Sequence, residues 1–168
     1  MQILITNRAI LTPLQKSDFE EIIDMYFEPD SNQYIPPLLN KDRASYLEFL
    51  TKKITHNSQP KGLGFWVVRD TNDHSFLGTA NLNVMEVLQI THVGCHLSRR
   101  IWGQGYGSEL VQCLVQYGLQ DLKLPVIYGI VSPAHHASKK MLRKAGLDYD
   151  KTIDLHGQAV DLFKINLS

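Results

Sequence analysis

Up to about residue 56 the apolar residues recur mainly at helical spacing. From Leu63 onward they come in short runs punctuated by glycine, and that change of period restricts the chain to a sheet with helices packed on it. Ala9 to Leu14 is a short apolar run broken by Pro13, a first strand. Ser17-Asp-Phe-Glu20 reads as a capping box that opens a helix to about Phe27, with Phe19, Ile22, Ile23 and Tyr26 on one face. Residues 28–39 hold Pro29, Pro36 and Pro37 and read as a loop. Asn40 is placed to cap a second helix carrying Tyr46, Leu47, Leu50 and Ile54. Residues 64–69, 75–85 and 87–98 read as three strands of a meander, with a turn at residues 71–74. A helix follows over 109–122. The almost wholly apolar run Val126 to Val131 reads as a strand buried on both faces. A helix over 133–145 is stopped by Gly146, and strands over 147–153 and 158–167 flank Gly157. The order β-α-α-β-β-β-α-β-α-β-β predicts a mixed sheet with helices packed on it, a single α/β domain spanning 1–168.

Composition narrows the function. Seventeen basic side chains balance seventeen acidic ones, so a chain built to grip a nucleic-acid backbone is disfavoured. A chain of 168 residues buries about 70% of its unfolded surface and needs neither disulfide nor metal for stability. Cys95 and Cys113 form no C-x-x-C pair, and Cys95 reads as a small buried hydrophobe rather than a reactive thiol. Residues 1–8 lack a basic start and a long apolar core, and no window has the ~20 apolar residues of a membrane span. A cytoplasmic, soluble protein without membrane contact is the expectation. His92 and His96 lie four apart on a strand, about 13 Å end to end, too far to share one ion. His135 and His136 have no carboxylate or thiol near them in sequence, so no metal is expected.

The feature that carries chemistry is Gly103-Gln-Gly-Tyr-Gly107, between a strand and a helix. Glycines let backbone N–H groups approach a ligand, and the helix N-terminus adds free donors and a positive dipole end. That combination suits a pyrophosphate. A plain tight turn, or a phosphate-binding scaffold of another kind, is equally compatible with the spacing. No Gly-Lys-Ser/Thr follows, and the spacing is not that of a dinucleotide fold.

These residues resemble a known family. Val93-Gly-Cys-His-Leu-Ser98 followed by Ile101-Trp-Gly-Gln-Gly-Tyr-Gly-Ser-Glu109 resembles the acetyl-CoA motif of the GNAT superfamily of N-acetyltransferases, above all the branch that acetylates ribosomal-protein N-termini. Pro133-Ala-His-His-Ala-Ser138 and Leu142-Arg-Lys-Ala-Gly-Leu147 resemble the branch's second block. Thr6-Asn-Arg-Ala-Ile-Leu-Thr-Pro-Leu14 and Ala159-Val-Asp-Leu-Phe163 resemble its opening and closing strands. The resemblance implies a mostly antiparallel sheet of about seven strands with four helices. It implies transfer of an acetyl group from acetyl-CoA to a primary amine, either a protein N-terminus or a small molecule, by direct attack on the thioester. It places the pyrophosphate on the backbone amides of Gly103, Gln104, Gly105, Tyr106, Gly107 and Ser108, with Trp102 beside them as a cofactor-binding candidate where the family often has a polar or basic residue, and the pantetheine arm and oxyanion on the backbone of Cys95, His96 and Leu97. His135 stands where the family's asparagine contacts the cofactor arm. Ser138 is the matching partner for the departing thiolate, and His96 is a candidate proton shuttle.

Two departures weigh on the mechanism. Where some superfamily members carry a glutamate base and a tyrosine acid, this chain has Ile130 and Leu142, which transfer no proton. An α-amine of pKa near 8 is about a quarter neutral at pH ~7.5, a deficit under ~1 kcal/mol, whereas a lysine amine faces roughly 4 kcal/mol. An α-amine or weakly basic amine is therefore favoured, unless His96, Asp148 or Asp150 acts as base. A non-catalytic acyl-CoA-binding module of the same fold is the alternative. Lys139, Lys140, Arg143 and Lys144 form a basic helix, read as a solvated face or as contacts to cofactor phosphates. Phe27, Tyr34, Pro36 and Pro37 form a candidate substrate wall. The resemblance is compatible with a monomer or a homodimer.

Overall fold

The computed structural model describes residues 1–56, with the side chain of His56 excepted, and residues 62–167. Eight strands form one sheet in the order β1-β2-β3-β4-β5-β6-β8-β7. They are β1 Leu4–Ile5, β2 Ala9–Pro13, β3 Gly64–Asp70, β4 Phe76–Met85, β5 Ile90–Leu97, β6 Val126–Val131, β7 Asp148–Leu155 and β8 Gln158–Asn166. Neighbours are antiparallel except β5 and β6. The helices are α1 Phe19–Tyr26, α2 Arg43–His56, α3 Tyr106–Gln116 and α4 His136–Lys144. No helix of the described residues is long and apolar enough to cross a membrane.

The sheet buries a different core on each face. On one side Leu11, Trp66, Leu82 and Phe163 pack with Leu110 and Leu114 of α3 and Leu142 of α4. On the other, Val67 packs with Phe19, Ile22 and Ile23 of α1 and Tyr46 and Leu50 of α2. Alternation along a strand sends successive side chains to opposite faces, so Trp66 and Val67 belong to different cores. Burying a large apolar side chain contributes about 1.5–3 kcal/mol, and both layers are continuous enough to hold the helices in register. Gly129 permits the closest approach on the α3/α4 side. A Cβ there would stand 2.5 Å from Leu142 Cδ2, so α4 rests directly on the backbone of β6.

The element order agrees with the sequence reading apart from details at the ends. The strand β1 is additional; it is a two-residue edge pairing, too short to leave a periodic signal. Ser17 does not open α1. The amide of Gln15 donates to Asp18 Oδ2 (2.9 Å), a 3-10 turn occupies residues 16–18, and α1 starts at Phe19. Asn40 lies outside α2, with φ 53°, and Asp42 caps that helix by accepting from the Ser45 amide (2.9 Å). The strand β5 starts at Ile90 because residues 86–89 make the hairpin turn. The helix read over 133–145 starts at His136, after a turn in which the His135 amide donates to the Ser132 carbonyl (2.9 Å). The end of α3 widens into a π-helical turn over Tyr117–Asp121, where the Leu122 amide donates to the Tyr117 carbonyl (3.1 Å).

Candidate active site

The site is built where two parallel strands part. β5 pairs with β4 along its whole length, out to Leu97 opposite Gly78. Against β6 it pairs only at His92–Tyr128 and Val93–Gly129, although β6 stays paired with β8 to Val131. Beyond Val93 the strands diverge. The edge of β5 from Gly94 to Leu97 faces a cleft instead of a strand, and backbone groups in such a place need a partner. α3 follows the end of β5 and α4 follows the end of β6, so both helix N-termini stand at the mouth. Cys95 Sγ lies 3.6 Å from Met141 Sδ, which ties the two sides together below the opening. Burial pushes the Cys95 thiol up to about 12, so it is an unreactive packing group.

The Gly-rich turn lines this mouth. Gly105 has φ 86° and ψ −3°, a left-handed conformation that favours glycine, and it serves as the N-cap of α3. The helix therefore begins at Tyr106, three residues before the sequence reading. Tyr106, Gly107 and Ser108 are its first turn rather than part of the loop. The first turn's N–H groups have no intrahelical acceptor, and the helical ladder starts with Glu109 N donating to Gly105 O (3.2 Å). A Cβ at Gly103 would meet nothing within 4 Å, and one at Gly105 only Arg8 Nη2 at 3.5 Å. The Gln104 amide is turned back onto the Ile101 carbonyl (3.4 Å), and the remaining donors of the turn and first helical turn border open space, an arrangement that fits a pyrophosphate.

A brace behind the cradle escaped the sequence reading. Arg8 Nε donates to Glu109 Oε2 (2.8 Å), its amide to Glu109 Oε1 (2.9 Å) and Nη1 to the Gln104 carbonyl (3.0 Å). The Arg8 guanidinium stacks 4.1 Å from the centre of the Tyr106 ring, whose hydroxyl donates to Asp70 Oδ2 (3.1 Å). Partial burial alone would raise the Glu109 carboxyl. Hydrogen bonds from Thr6 and Arg8 outweigh it and hold the group below its usual range. Both partners were visible in the motifs; the hundred residues between them hid the pairing. Trp102 turns outward, 42% exposed, with its indole N–H on the Leu97 carbonyl (2.7 Å).

On the α1/α2 side, the loop after α1 is tied to the end of β5. Glu28 accepts from Ser98 Oγ (2.7 Å) and from the Arg99 amide (2.6 Å), and Ser31 Oγ lies 2.8 Å from His96 Nε2. The His96 ring stacks on Tyr26, centroids 5.1 Å apart. Across the cleft, Tyr34 lies against His135 at 4.1 Å, so the loop bridges from β5 to α4. Phe27 packs edge-on against Tyr46, and Pro36 and Pro37 open a 3-10 turn. Burial, with a smaller contribution from Lys53, pushes both His92 and His96 down to about 4. Burial also pushes Lys53 down to about 7. Its amine is wedged 4.6 Å from the Phe49 ring centre and 3.9 Å from that of Phe65.

The remaining sequence expectations fall as follows. β6 is not buried on both faces: Ile127, Gly129 and Val131 are buried under α3 and α4, while Tyr128 and Ile130 are half-buried on the side of α1 and α2. The apolar run reflects a strand with one open, partly apolar face. Ser138 lies in the first turn of α4, half-buried, on the helix face of Met141 and Leu142. Leu142 is core, 2% exposed. Lys139 is held by Asp161 (2.6 Å) rather than presented to solvent. His96 is a poor proton shuttle at neutral pH, because its burial disfavours the imidazolium. Asp150 is paired with Lys164 (2.7 Å). Among the described residues no group of three or more His, Cys, Asp or Glu side chains is placed to hold a metal.

The arrangement matches known proteins. The model of the acetyltransferase (GNAT) domain family matches residues 8–148, and the chain belongs to that family. The uncharacterized N-acetyltransferase p20 of Bacillus licheniformis is 27% identical, over 99% of this chain and 96% of that one. An acetyltransferase from Agrobacterium tumefaciens superposes with TM-score 0.85 at 20% identity, covering 99% and 95%. RimL, a ribosomal L7/L12 α-N-protein acetyltransferase in complex with coenzyme A, superposes with TM-score 0.82 at 13% identity, covering 99% and 98%. At these identities the structural likeness speaks for the fold.

The histidines give a pH prediction. Both are uncharged in the fold at neutral pH, and their ordinary value is near 6.5. As pH falls from 6.5 toward 4, the unfolded chain takes up protons that the fold refuses, so stability drops through that window. Urea denaturation at about pH 7 and about pH 4.5 is expected to show a loss that is smaller in a His92→Gln/His96→Gln variant. An unchanged loss in the variant would assign the acid sensitivity to other groups.

Proposed function

We propose that this chain moves the acetyl group of acetyl-CoA to a primary amine by direct attack on the thioester. The observation that carries this reading is the parting of β5 from β6 with a glycine cradle at its mouth. Acetyl-CoA supplies the activated thioester. The backbone amides of residues 103–108 hold its pyrophosphate. The free edge of Cys95, His96 and Leu97 pairs with the extended arm and donates an N–H to the developing oxyanion, where a charge-assisted bond is worth about 1.5–3 kcal/mol. His135, uncharged because burial and His136 lower its pKa, offers one ring N–H to the same arm. Ser138, whose hydroxyl makes no hydrogen bond among the described residues, donates to the departing thiolate.

The acceptor enters from the α1/α2 side. Neutral His96 acts through its bond to Ser31, holding the loop that walls this side, rather than as a strong base. An α-amine or a weakly basic amine fits a site of that kind, since a sizeable fraction is neutral without help. A protein N-terminus and a small-molecule amine both satisfy the chemistry. The test is release of thiol from acetyl-CoA over a panel of peptides, amino acids, polyamines and amino sugars. Turnover with at least one amine is expected, and cofactor binding with no turnover would mark a non-catalytic acyl-CoA-binding module.

Two substitutions probe the roles. Gly105→Val forces a side chain into the open cradle at a positive φ. It is expected to weaken acetyl-CoA binding at least tenfold, about 1.4 kcal/mol, by calorimetry on a variant that still folds. Unchanged affinity would sink the placement of the pyrophosphate. Ser138→Ala is expected to lower kcat about tenfold, the low end or less of general-acid assistance, while the Kd for acetyl-CoA barely moves. Wild-type kcat in that variant would make the serine structural.

A further inference from the structure

The wall facing the acceptor side carries a charge that none of the steps above uses. Along the sheet, Phe65 of β3 stands opposite Asn81 of β4, and Asn81 opposite Gly94 of β5. These three share a face with His92, His96 and Tyr26, the face covered in part by α1 and α2. Gly94 is the first residue of β5 beyond its pairing with β6. It has no side chain on this face, and the space a Cβ would fill lies 3.1 Å from Asn81 Oδ1. The row therefore forms a floor that runs from the point of divergence, across the Asn81 amide, to Phe65. Two strand spacings make that distance about 10 Å.

At the far end sits Lys53. Its stem descends from α2, and its ammonium lies between the Phe49 and Phe65 rings. Its field reaches both His92 and His96. Among the described residues Lys53 makes no ion pair with a carboxylate. Taking an ammonium out of water without a counter-ion is unfavourable, and two aromatic faces compensate only in part. Asp148 shares this face only at the exposed start of β7, three strands away from β5, and the acidic groups nearer the cleft are engaged. Glu28 is bonded to Ser98 and the Arg99 amide, Asp30 to Arg99 and Asp150 to Lys164. The rest of the floor, Asn81, Asn83 and the two imidazoles, is polar and uncharged. Among the described residues no carboxylate stands in the row from Gly94 to Phe65 for a polycationic amine to meet, whereas a carboxylate placed there meets the Lys53 amine and favours its charged form.

We propose that the acceptor is an amine that also bears a carboxylate, which Lys53 binds while the amine stands over Gly94 at the divergence of β5 and β6. This rests on the acetyl-transfer reading above and narrows it to a substrate class. The carboxylate stands several bonds from the amine, and belongs either to a free amino acid with such a distal carboxylate or to an acidic side chain near a peptide N-terminus. Lys53 sets the choice of acceptor and takes no part in the bond-making step.

Matched amine pairs test it. In the first arm, 5-aminopentanoate is compared with pentylamine and with 1,5-diaminopentane. In the second, the dipeptide seryl-glutamate amide is compared with seryl-glutamine amide. Wild-type protein is expected to favour the carboxylated member of at least one arm by about tenfold in kcat/KM, mostly through KM, equivalent to about 1.4 kcal/mol. The arm that shows it tells a free amino acid from a peptide. In Lys53→Met, which keeps an unbranched stem between the rings, the ratio is expected to fall to about one. Lys53→Arg is expected to restore most of it. Equal rates within both arms, a preference for the diamine, or a preference that survives Lys53→Met would overturn the proposal. If no amine releases thiol, the acetyl-transfer reading fails first. Calorimetry of 5-aminopentanoate against pentylamine on the coenzyme A-loaded protein then decides the anion site. Binding of the first alone, lost in Lys53→Met, supports it; no difference between the two amines overturns it.

Discussion

Everything at the candidate site depends on β5 losing its partner after Val93 while β4 keeps hold of its other edge. A strand bonded on one side and open on the other is unfavourable unless something pairs with the open side. Here the opening is held from below. α4 rests on β6 through Leu142 over Gly129, α3 rests on β5, and Met141 meets Cys95 between them. Because both helices are docked by apolar contacts in one core, the cleft cannot close by simple strand pairing without displacing them. Its width is a property of the packing.

The electrostatics follow from the same geometry. Placing His92 and His96 half-buried on the open face, beside α1 and α2, disfavours their charged forms and keeps both imidazoles neutral at neutral pH. That fits a reaction whose nucleophile is a neutral amine, and it argues against a histidine that cycles through the charged form. On the cofactor side the charges are paired and structural. Arg8 and Glu109 lock the turn between β1 and β2 to α3, and the guanidinium also holds the Gln104 carbonyl. The Gly-rich turn is therefore braced from behind by a fixed guanidinium. The pair is part-buried and joins residues a hundred positions apart, so it fixes the position of the turn.

The order of strands and helices was legible because each leaves a local mark. Apolar spacing marked α1 and α2, glycine and turn residues marked the meander, and Gly146 marked the end of α4. The errors share one cause. Ser17, Asn40 and the start of α3 depended on which of several neighbouring polar or glycine residues takes the cap, a choice among near-equivalent positions that spacing does not make: Asp18, Asp42 and Gly105 took the roles. The apolar run of β6 could not reveal that one of its faces looks onto a half-covered cleft. Arg8 with Glu109, Ser31 with His96, and Lys53 with Phe65 are long-range pairs, and no periodicity signals them.

By itself the sequence determined that this chain builds a helix-covered mixed sheet with a glycine cradle between a strand and a helix, since backbone conformation at Gly105 and apolar periodicity are local properties. The ordered motifs also carried the likeness to the acetyltransferase family. Only the tertiary structure decided where β5 leaves β6, which histidines are half-buried on its open face, and which cation is set against Phe65. Those depend on residues far apart in the chain being brought onto one face of a sheet. Burial and unpaired charge belong to that assembled face and to no single stretch of residues.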